Sequence, residues 1–158
     1  MSMRYTALLA AAPEQRPGVT VESFRATCPP AGPVIACGLL LIGLKLALAL
    51  LGFTRTRRLV EAYTCRPPVL PPVPMLRVAE LERVVALAAA FCPGRALCLE
   101  QSLMLHALLR RAGVVSRLRL GVQPHPFAAH AWIEVDGMPV NDVVEHVRHF
   151  TAFPDGLP

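Results

Sequence analysis

The strongest constraint on the fold of this chain is a change in the spacing of its apolar residues between positions 77 and 143. Over residues 77–91 and 97–112 the apolar side chains recur with the period of a helix, and Gly113 closes the second segment. From residue 116 onward the period becomes two, which is typical of strands. The pattern therefore predicts an α+β fold in which helices precede an antiparallel sheet.

A β-hairpin is predicted at the end of this region. Residues 129–135 alternate polar and apolar side chains, Asp136-Gly137 is a two-residue turn signal, and residues 138–143 return as the partner strand. His130 and Asp142 both lie at the end of the hairpin away from the turn. We therefore expect their side chains to be near neighbours across the ladder.

Cys98 lies in the first turn of the helix predicted over residues 97–112. The unpaired amides and the dipole of a helix start stabilise a thiolate. A carboxylate beside a histidine fixes its tautomer and stabilises the imidazolium. Cysteine, then histidine, then aspartate is the chain order of papain-like hydrolases. Each residue alone would more often be structural, but together they predict Cys98 as nucleophile, His130 as base and Asp142 as the acid that orients it.

Composition narrows the classes of partner and cofactor. The five cysteines are irregularly spaced and include no CxxC pair, which favours a reducing compartment and predicts no metal. Cys92, His106 and His125 are interpreted as packing or surface residues rather than ligands. The formal net charge of +5 favours acidic partners, but no basic run is interleaved with aromatics, so nucleic acid is not expected.

The N-terminal half is dominated by an apolar block at residues 34–53, whose only charge is Lys45. Its length would span a bilayer, and arginines follow it directly. A charge near the midpoint and three glycines oppose that interpretation, so residue types alone leave a spanning helix and a buried helix both open. The predicted organisation comprises an extension of unassigned role at 1–33, the apolar helix with its basic tail at 34–64, a Pro-rich connector at 65–76, and the catalytic core at 77–158.

Five segments resemble the B proteins of lasso-peptide biosynthesis, which are transglutaminase-like cysteine peptidases that remove leader peptides. They are CLEQSL at 98–103, LLRRAGV at 108–114, LGV at 120–122, PFAAHAWIEVDG at 126–137 and PVND at 139–142. The resemblance covers about residues 77–145. It implies a papain-like core in which the nucleophile helix packs on an antiparallel sheet.

The resemblance also implies an activity and a set of partners. The enzyme would cut a ribosomally made precursor between leader and core without a cofactor of its own. Cys98, His130 and Asp142 would act as the catalytic set, with the Cys98 N–H at the oxyanion and with Gln101 and Trp132 as substrate-binding or oxyanion residues. Expected partners are the leader region of the precursor, a separate leader-recognition protein, because residues 1–33 are too short for a fused one, and an asparagine-synthetase-like, ATP-using cyclase.

The same resemblance favours a cytoplasmic protein whose apolar segment is a helix packed on the core, with peripheral membrane contact through residues 34–58. Two other functions stay open. One is an acyl or amide transferase of the same fold, because an amine can resolve the same thioester. The other is a non-catalytic, membrane-associated scaffold protein built on residues 34–53.

Overall fold

The computed structural model of the chain describes residues 29–64 and 75–154. Most of the predicted extension at 1–33 and of the predicted connector at 65–76 therefore lies outside the described residues. The helices are α1 (Ala31–Tyr63), α2 (Met75–Ala90), α3 (Cys98–Arg111) and the short α4 (Val144–Val147). The strands are β1 (Arg117–Gln123), β2 (Ala128–Val135), β3 (Met138–Pro139) and β4 (Thr151–Ala152).

Helices α1, α2 and α3 pack on one another, and α3 lies against a four-stranded antiparallel sheet of order β3-β2-β1-β4. The predicted α+β fold is thus confirmed. Strands β1 and β2 pair along their whole length, with Gly121 opposite His130 and Arg119 opposite Trp132. On the face toward α3, Ile133 and Val135 join the helices in one hydrophobic core.

The alternation of β2 places its polar residues on the other face of the sheet. His130, Trp132 and Glu134 are half-buried or buried there, and Arg119 of β1 donates from Nε to Glu134 Oε2 at 2.9 Å. This period-two division follows from the pleat of a strand, in which successive side chains point to opposite faces. It fixes the side of the sheet on which the His130 side chain lies.

The structure shortens the partner strand predicted at residues 138–143 to Met138–Pro139. One further backbone bond continues the ladder, from Val140 N to Ile133 O at 3.0 Å. The ladder then stops because the side chain of Asn141 takes the place of backbone: its Oδ1 accepts from Ile133 N at 2.7 Å. The helix starts also differ, since α1 begins at Ala31 and α2 at Met75, earlier than the sequence indicated.

Helix α1 has one buried and one exposed side. Cys37, Leu41 and Leu44 recur at helical spacing and are buried against α2 and α3. Large apolar residues on the opposite side are exposed, among them Leu39 at 67% and Leu50 at 80%. By length and composition α1 is the one helix of the described residues that would be able to cross a membrane.

Gly52 interrupts α1. Its φ of 75° and ψ of 173° lie outside the helical region, in a conformation that residues with a side chain rarely adopt. Thr56 Oγ1 donates to Gly52 O, the carbonyl four residues earlier, at 2.8 Å. The apolar part of α1 and its arginine-bearing part are therefore two helical segments with a glycine joint between them.

Lys45, the one charge in the apolar segment, is bound to the chain that leads into α3. Its Nζ donates to Gly94 O and Arg95 O, each at 2.8 Å, and more weakly to Pro93 O at 3.4 Å. These carbonyls belong to the turn after α2, where the positive φ of Gly94 and Arg95 reverses the chain. A charged group near the middle of α1 is thus explained by a tertiary contact and not by lipid.

Candidate active site

His130 and Asp142 are in direct contact. Nε2 of His130 lies 2.5 Å from Oδ2 of Asp142, and both side chains are only about 15% exposed. The contact forms because β2 carries His130 on its polar face, while the bend after β3 turns Asp142 back toward it. Nδ1 of His130 has no hydrogen-bond partner among residues 29–64 and 75–154, so it is the ring nitrogen available to exchange a proton.

Asp142 is shared by a second histidine. Nδ1 of His146, on α4, lies 2.8 Å from the same Oδ2, and Val143 N donates to Oδ1 at 2.7 Å. Burial alone would raise the pKa of Asp142. The hydrogen bonds from His146, Val143 and His130, together with the charge of His146, outweigh burial and hold the pKa below its ordinary value. Asp142 is therefore an ionised acceptor at neutral pH.

Aromatic rings enclose the imidazole of His130. The Trp132 ring lies nearly parallel to it, with centroids 6.0 Å apart, and the Phe150 and His146 rings lie at 5.1 and 5.0 Å. Gly121, across the ladder, makes room for them: a Cβ there would come within 3.0 Å of both the Trp132 ring and Phe150 Cβ. The position of His130 is thus set by ring packing as well as by Asp142.

Cys98 is the first residue of α3 and is half-exposed. Glu100 accepts a hydrogen bond from Leu97 N through Oε2, and Gln101 Nε2 donates to Ala96 O at 2.8 Å. These bonds hold the residues before Cys98 against the first turn of the helix. One of the two N–H donors of the Gln101 amide, a residue that the resemblance implies for substrate or oxyanion contact, is engaged in this way.

The thiol of Cys98 differs from the other described cysteines. Cys37 and Cys92 are buried in the core, and burial raises the pKa of the Cys37 thiol to about 11, which makes it a poor nucleophile. The structure thus leaves Cys98 as the accessible thiol of the described residues. It makes no hydrogen bond to His130 there, whereas His130 and Asp142 are already joined.

A buried polar network connects the helix of Cys98 to the strand of His130. Ser102, one turn after Cys98, is fully buried and donates from Oγ to Ala131 O at 2.9 Å. Asn141 Nδ2 donates to the same Oγ at 2.9 Å, and Asn141 Oδ1 accepts from Ile133 N. Because Ala131 follows His130 and Asn141 precedes Asp142, this network positions three segments that carry candidate catalytic residues.

Ser102, Asn141, His146 and Phe150 were not identified as site residues from the sequence. The signal for Ser102 was its helical spacing from Cys98, which places a polar residue on the side of α3 that faces the sheet. Asn141 stands next to Asp142 in the PVND segment, but the sequence assigned a role there to Asp142 alone. His146 and Phe150 offered no signal, because only the fold of the C-terminal segment brings them to His130.

One group of the described residues has donor atoms close enough to hold a metal ion. The donor nitrogens of His130 and His146 and a carboxylate oxygen of Asp142 lie within 4.8 Å of one another. The two imidazoles already share that oxygen through hydrogen bonds, so a metal would have to displace both. His106, weighed earlier as a ligand, instead pairs through Nδ1 with Ser116 Oγ at 2.9 Å.

Comparison with known proteins gives one match. The family model described as the transglutaminase-like superfamily matches residues 39–154. The match takes in most of α1 as well as the region of Cys98, His130 and Asp142. No curated protein and no solved structure matches the chain.

Proposed function

The chain belongs to the transglutaminase-like superfamily, whose members are typically cysteine-dependent enzymes, and on this basis we propose that it is a cysteine peptidase that removes the leader from a lasso-peptide precursor. The observation that carries the proposal is the contact between His130 Nε2 and Asp142 Oδ2. It leaves Nδ1 of His130 as the base. The resemblance of residues 77–145 to the lasso-peptide B proteins supplies the substrate class.

In the proposed reaction, His130 Nδ1 takes the proton of the Cys98 thiol as the sulfur attacks the scissile carbonyl. The tetrahedral intermediate collapses to a thioester, and His130 returns the proton to the leaving amine, which departs as the N-terminus of the core peptide. Water, deprotonated by His130, then releases the leader as a carboxylate and regenerates the thiol. Asp142 holds the imidazole and stabilises its charged form throughout.

The backbone N–H of Cys98 is the proposed oxyanion donor. It has no hydrogen-bond partner among the described residues, as expected for the first residue of a helix. Trp132, whose indole Nε1 donates to Glu134 Oε1 at 3.2 Å, shields the imidazole rather than contacting substrate through that nitrogen. We propose that Cys98 and His130 form a hydrogen bond when the peptide is bound, because catalytic hydrogen bonds often become complete only in the Michaelis complex.

The test uses the full chain with its precursor, the recognition protein and the cyclase with ATP, and products are identified by mass. Cleavage should be lost in Cys98→Ala and retained in Cys92→Ala, a matched control because Cys92 is buried in the core. Cleavage by Cys98→Ala at the wild-type rate would refute the proposal. Alkylation of the folded chain at mildly acidic pH, mapped by mass, should label Cys98 before either buried cysteine.

The superfamily match also fits an acyl or amide transferase, in which an amine instead of water attacks the thioester. The resulting product carries a new amide bond in place of a free carboxylate on the leader. Adding a primary amine to the assay separates the two functions. A leader adduct that forms at the expense of the free leader would favour the transferase.

We further propose that the protein acts in the cytoplasm, with the exposed side of α1 resting on an anionic membrane surface. At 100° per residue, the exposed positions between Ile35 and Leu51 cover an arc of about 200°, and every one is apolar or glycine. So broad an arc suits lipid better than the narrow seam of one partner helix. No acidic residue occurs from 29 to 60, and Arg55 and Arg58 are exposed just beyond the arc.

Flotation with vesicles tests this placement. The chain should float with vesicles that contain phosphatidylglycerol and less with pure phosphatidylcholine, and Leu46→Gln with Leu50→Gln should reduce flotation. If the double variant floats like wild type, or if the exposed arc binds the recognition protein or the cyclase in place of vesicles, the membrane proposal is wrong.

A further inference from the structure

One carboxylate oxygen of Asp142 is approached by two imidazole nitrogens. Oδ2 lies 2.5 Å from Nε2 of His130 and 2.8 Å from Nδ1 of His146. One donor atom from each of the three residues lies within 4.8 Å of the other two. The proton transfers of the proposed reaction use only His130, so they do not account for a second imidazole on the same oxygen.

The donor atoms of this cluster suit a zinc ion. Two imidazoles and one carboxylate are the protein ligands of open zinc sites, in which a fourth position stays free for water. Magnesium and calcium ions instead prefer sites made of oxygen atoms. The side chain of His146 is 49% exposed, which gives an ion in the solvent direct access to the three donor atoms.

The cluster needs only a small expansion to hold zinc. Zinc lies about 2.1 Å from nitrogen and oxygen ligands, so two ligands of a tetrahedral site are about 3.3 Å apart. The two N–O distances of 2.5 and 2.8 Å would therefore lengthen by less than about 1 Å each. The rings of Trp132 and Phe150 hold His130 in place, whereas His146 is exposed and belongs to the four-residue helix α4. The movement would thus fall mainly on His146 and the carboxylate of Asp142.

The surroundings of the three donor atoms resemble the outer shell of a metal site. Carboxylates that bind metals in proteins are themselves hydrogen-bonded, and Val143 N donates to the other oxygen of Asp142, Oδ1, at 2.7 Å. The Phe150 ring packs against both imidazoles, with its centroid 5.1 Å from that of His130 and 5.3 Å from that of His146. The hydrogen bond and the ring would keep the three ligands together after a metal had replaced the two hydrogen bonds to Oδ2.

We propose that a zinc ion binds to His130 Nε2, His146 Nδ1 and Asp142 Oδ2 and reversibly inhibits the reaction of Cys98. The inhibition rests on the proposed peptidase function, whereas the binding site rests on the contacts of the three ligands alone. No CxxC pair marks this site in the sequence, because its ligands come from β2, from the bend after β3 and from α4.

Inhibition follows from the two tautomers of imidazole. While Nε2 of the neutral His130 ring donates to Asp142, Nδ1 has a lone pair that can take the proton of the Cys98 thiol. A zinc ion on Nε2 needs the lone pair of that nitrogen, so the ring proton moves through water to Nδ1. Nδ1 is then an N–H group and cannot accept a second proton without charging the ring. Zinc would thus remove the base without touching the sulfur.

Zinc binding is measured on the full chain by competition with a chromophoric chelator. Cys98 is replaced by alanine together with Cys28 and Cys65, which lie outside the described residues, so that none of these thiols can hold the metal. We expect one zinc ion per chain, and His146→Gln should weaken its binding at least about tenfold because a ligand is lost. His149→Gln is the matched control, since it removes an imidazole outside the cluster and should leave binding unchanged. Equal zinc binding by these two variants would overturn the site.

Nitrogen-15 NMR of the imidazole rings gives a second measurement that needs no substitution at His146. Zinc should move the ring proton of His130 from Nε2 to Nδ1 and should shift the resonances of His130 Nε2 and His146 Nδ1. An unchanged tautomer of His130 at saturating zinc would overturn the proposal. Loss of zinc binding on replacement of Cys98 alone by alanine would overturn it too, because the metal would then be held by the thiolate.

The inhibition is tested in the cleavage assay with the precursor, the recognition protein, the cyclase and ATP. Cleavage by the wild-type chain should fall as zinc is added and return with a zinc-selective chelator. His146→Gln, compared with its own zinc-free rate, should need at least about tenfold more zinc for the same inhibition, and its identical mixture controls for zinc that acts on the cyclase. Equal zinc sensitivity of the two chains would overturn inhibition through this site. Zinc binding with the expected tautomer change, in a chain that cleaves no precursor, would support the zinc site and refute the peptidase function.

Discussion

Replacing Lys45 by Met distinguishes a helix that packs on the core from one that spans a membrane. Methionine keeps the length of the aliphatic stem and removes only the ammonium group. The structure gives that group two hydrogen bonds of 2.8 Å, to Gly94 O and Arg95 O, and one long contact to Pro93 O. At about 1 kcal/mol net for each of the two short bonds at a partly exposed site, we expect Lys45→Met to lower the free energy of unfolding by about 2 kcal/mol.

The measurement is urea unfolding of the purified chain without detergent, supported by a thermal melt that should fall by roughly 8 °C. Leu46→Met is the matched control, because Leu46 is exposed and should change stability by less than about 0.5 kcal/mol. If α1 instead spanned a membrane, Lys45→Met would be stabilising, since removing a charge from the bilayer centre favours insertion by about 3 kcal/mol. A Lys45→Met chain that is as stable as wild type in solution, or that moves into the membrane fraction, would refute the packing argument.

Three other predictions concern pH and the surroundings of His130. The folded pKa of His106, about 4, lies below its unfolded value of 6.5, so its contribution to stability is complete above pH 6.5. That contribution is lost as pH falls toward 4, and urea unfolding should register a loss of roughly 3 kcal/mol across this interval. Gly121→Ala should lower the cleavage rate about tenfold because its Cβ meets the Trp132 ring. In a plot of cleavage rate against pH, His146→Gln should move the acid limb to higher pH, because the substitution removes a contact that lowers the pKa of Asp142.

Each of these three predictions can be contradicted by a specific result or checked with a control variant. A urea midpoint that does not change between pH 6.5 and 4 would contradict the burial of His106 as a neutral ring. Gly43→Ala, where an added Cβ meets nothing within 4 Å, should not reduce cleavage. His149→Gln tests whether loss of any nearby imidazole has the effect expected of His146. An unmoved acid limb in His146→Gln would mean that Asp142 does not depend on the second histidine.

The parts of the fold set by local periodicity were predictable from the sequence. The two helices and the alternating strand of His130 follow from the spacing of apolar residues, and the Asp136-Gly137 turn from its residue types. The nearness of His130 and Asp142 was predicted as well, but from a continuous ladder. In the structure the backbone ladder ends at Val140, and the bend after β3 brings Asp142 to His130. All of these depend on residues within about a dozen positions of one another.

Contacts between distant segments were not predictable, because periodicity carries no information on which segments meet. Lys45 binds carbonyls 48 to 50 residues away, and Asn141 bonds to Ser102 across 39 residues. A cleft of about 800 Å³ beside the first half of β1 is likewise lined by arginines from α1, α3 and β1. The length of β3 was overestimated because a side chain, that of Asn141, replaces the backbone at the point where the ladder stops.

Helix α1 is better understood as part of the transglutaminase-like domain than as an anchor attached to it. The superfamily match begins at residue 39, inside α1, and Cys37, Leu41 and Leu44 belong to the same core cluster as Ile133 of β2. Lys45 fixes the turn that ends two residues before Leu97, so the start of α3 depends on α1. If the thiol of Cys98 is the nucleophile, its position relative to His130 therefore requires the buried side of α1, whatever the exposed side contacts.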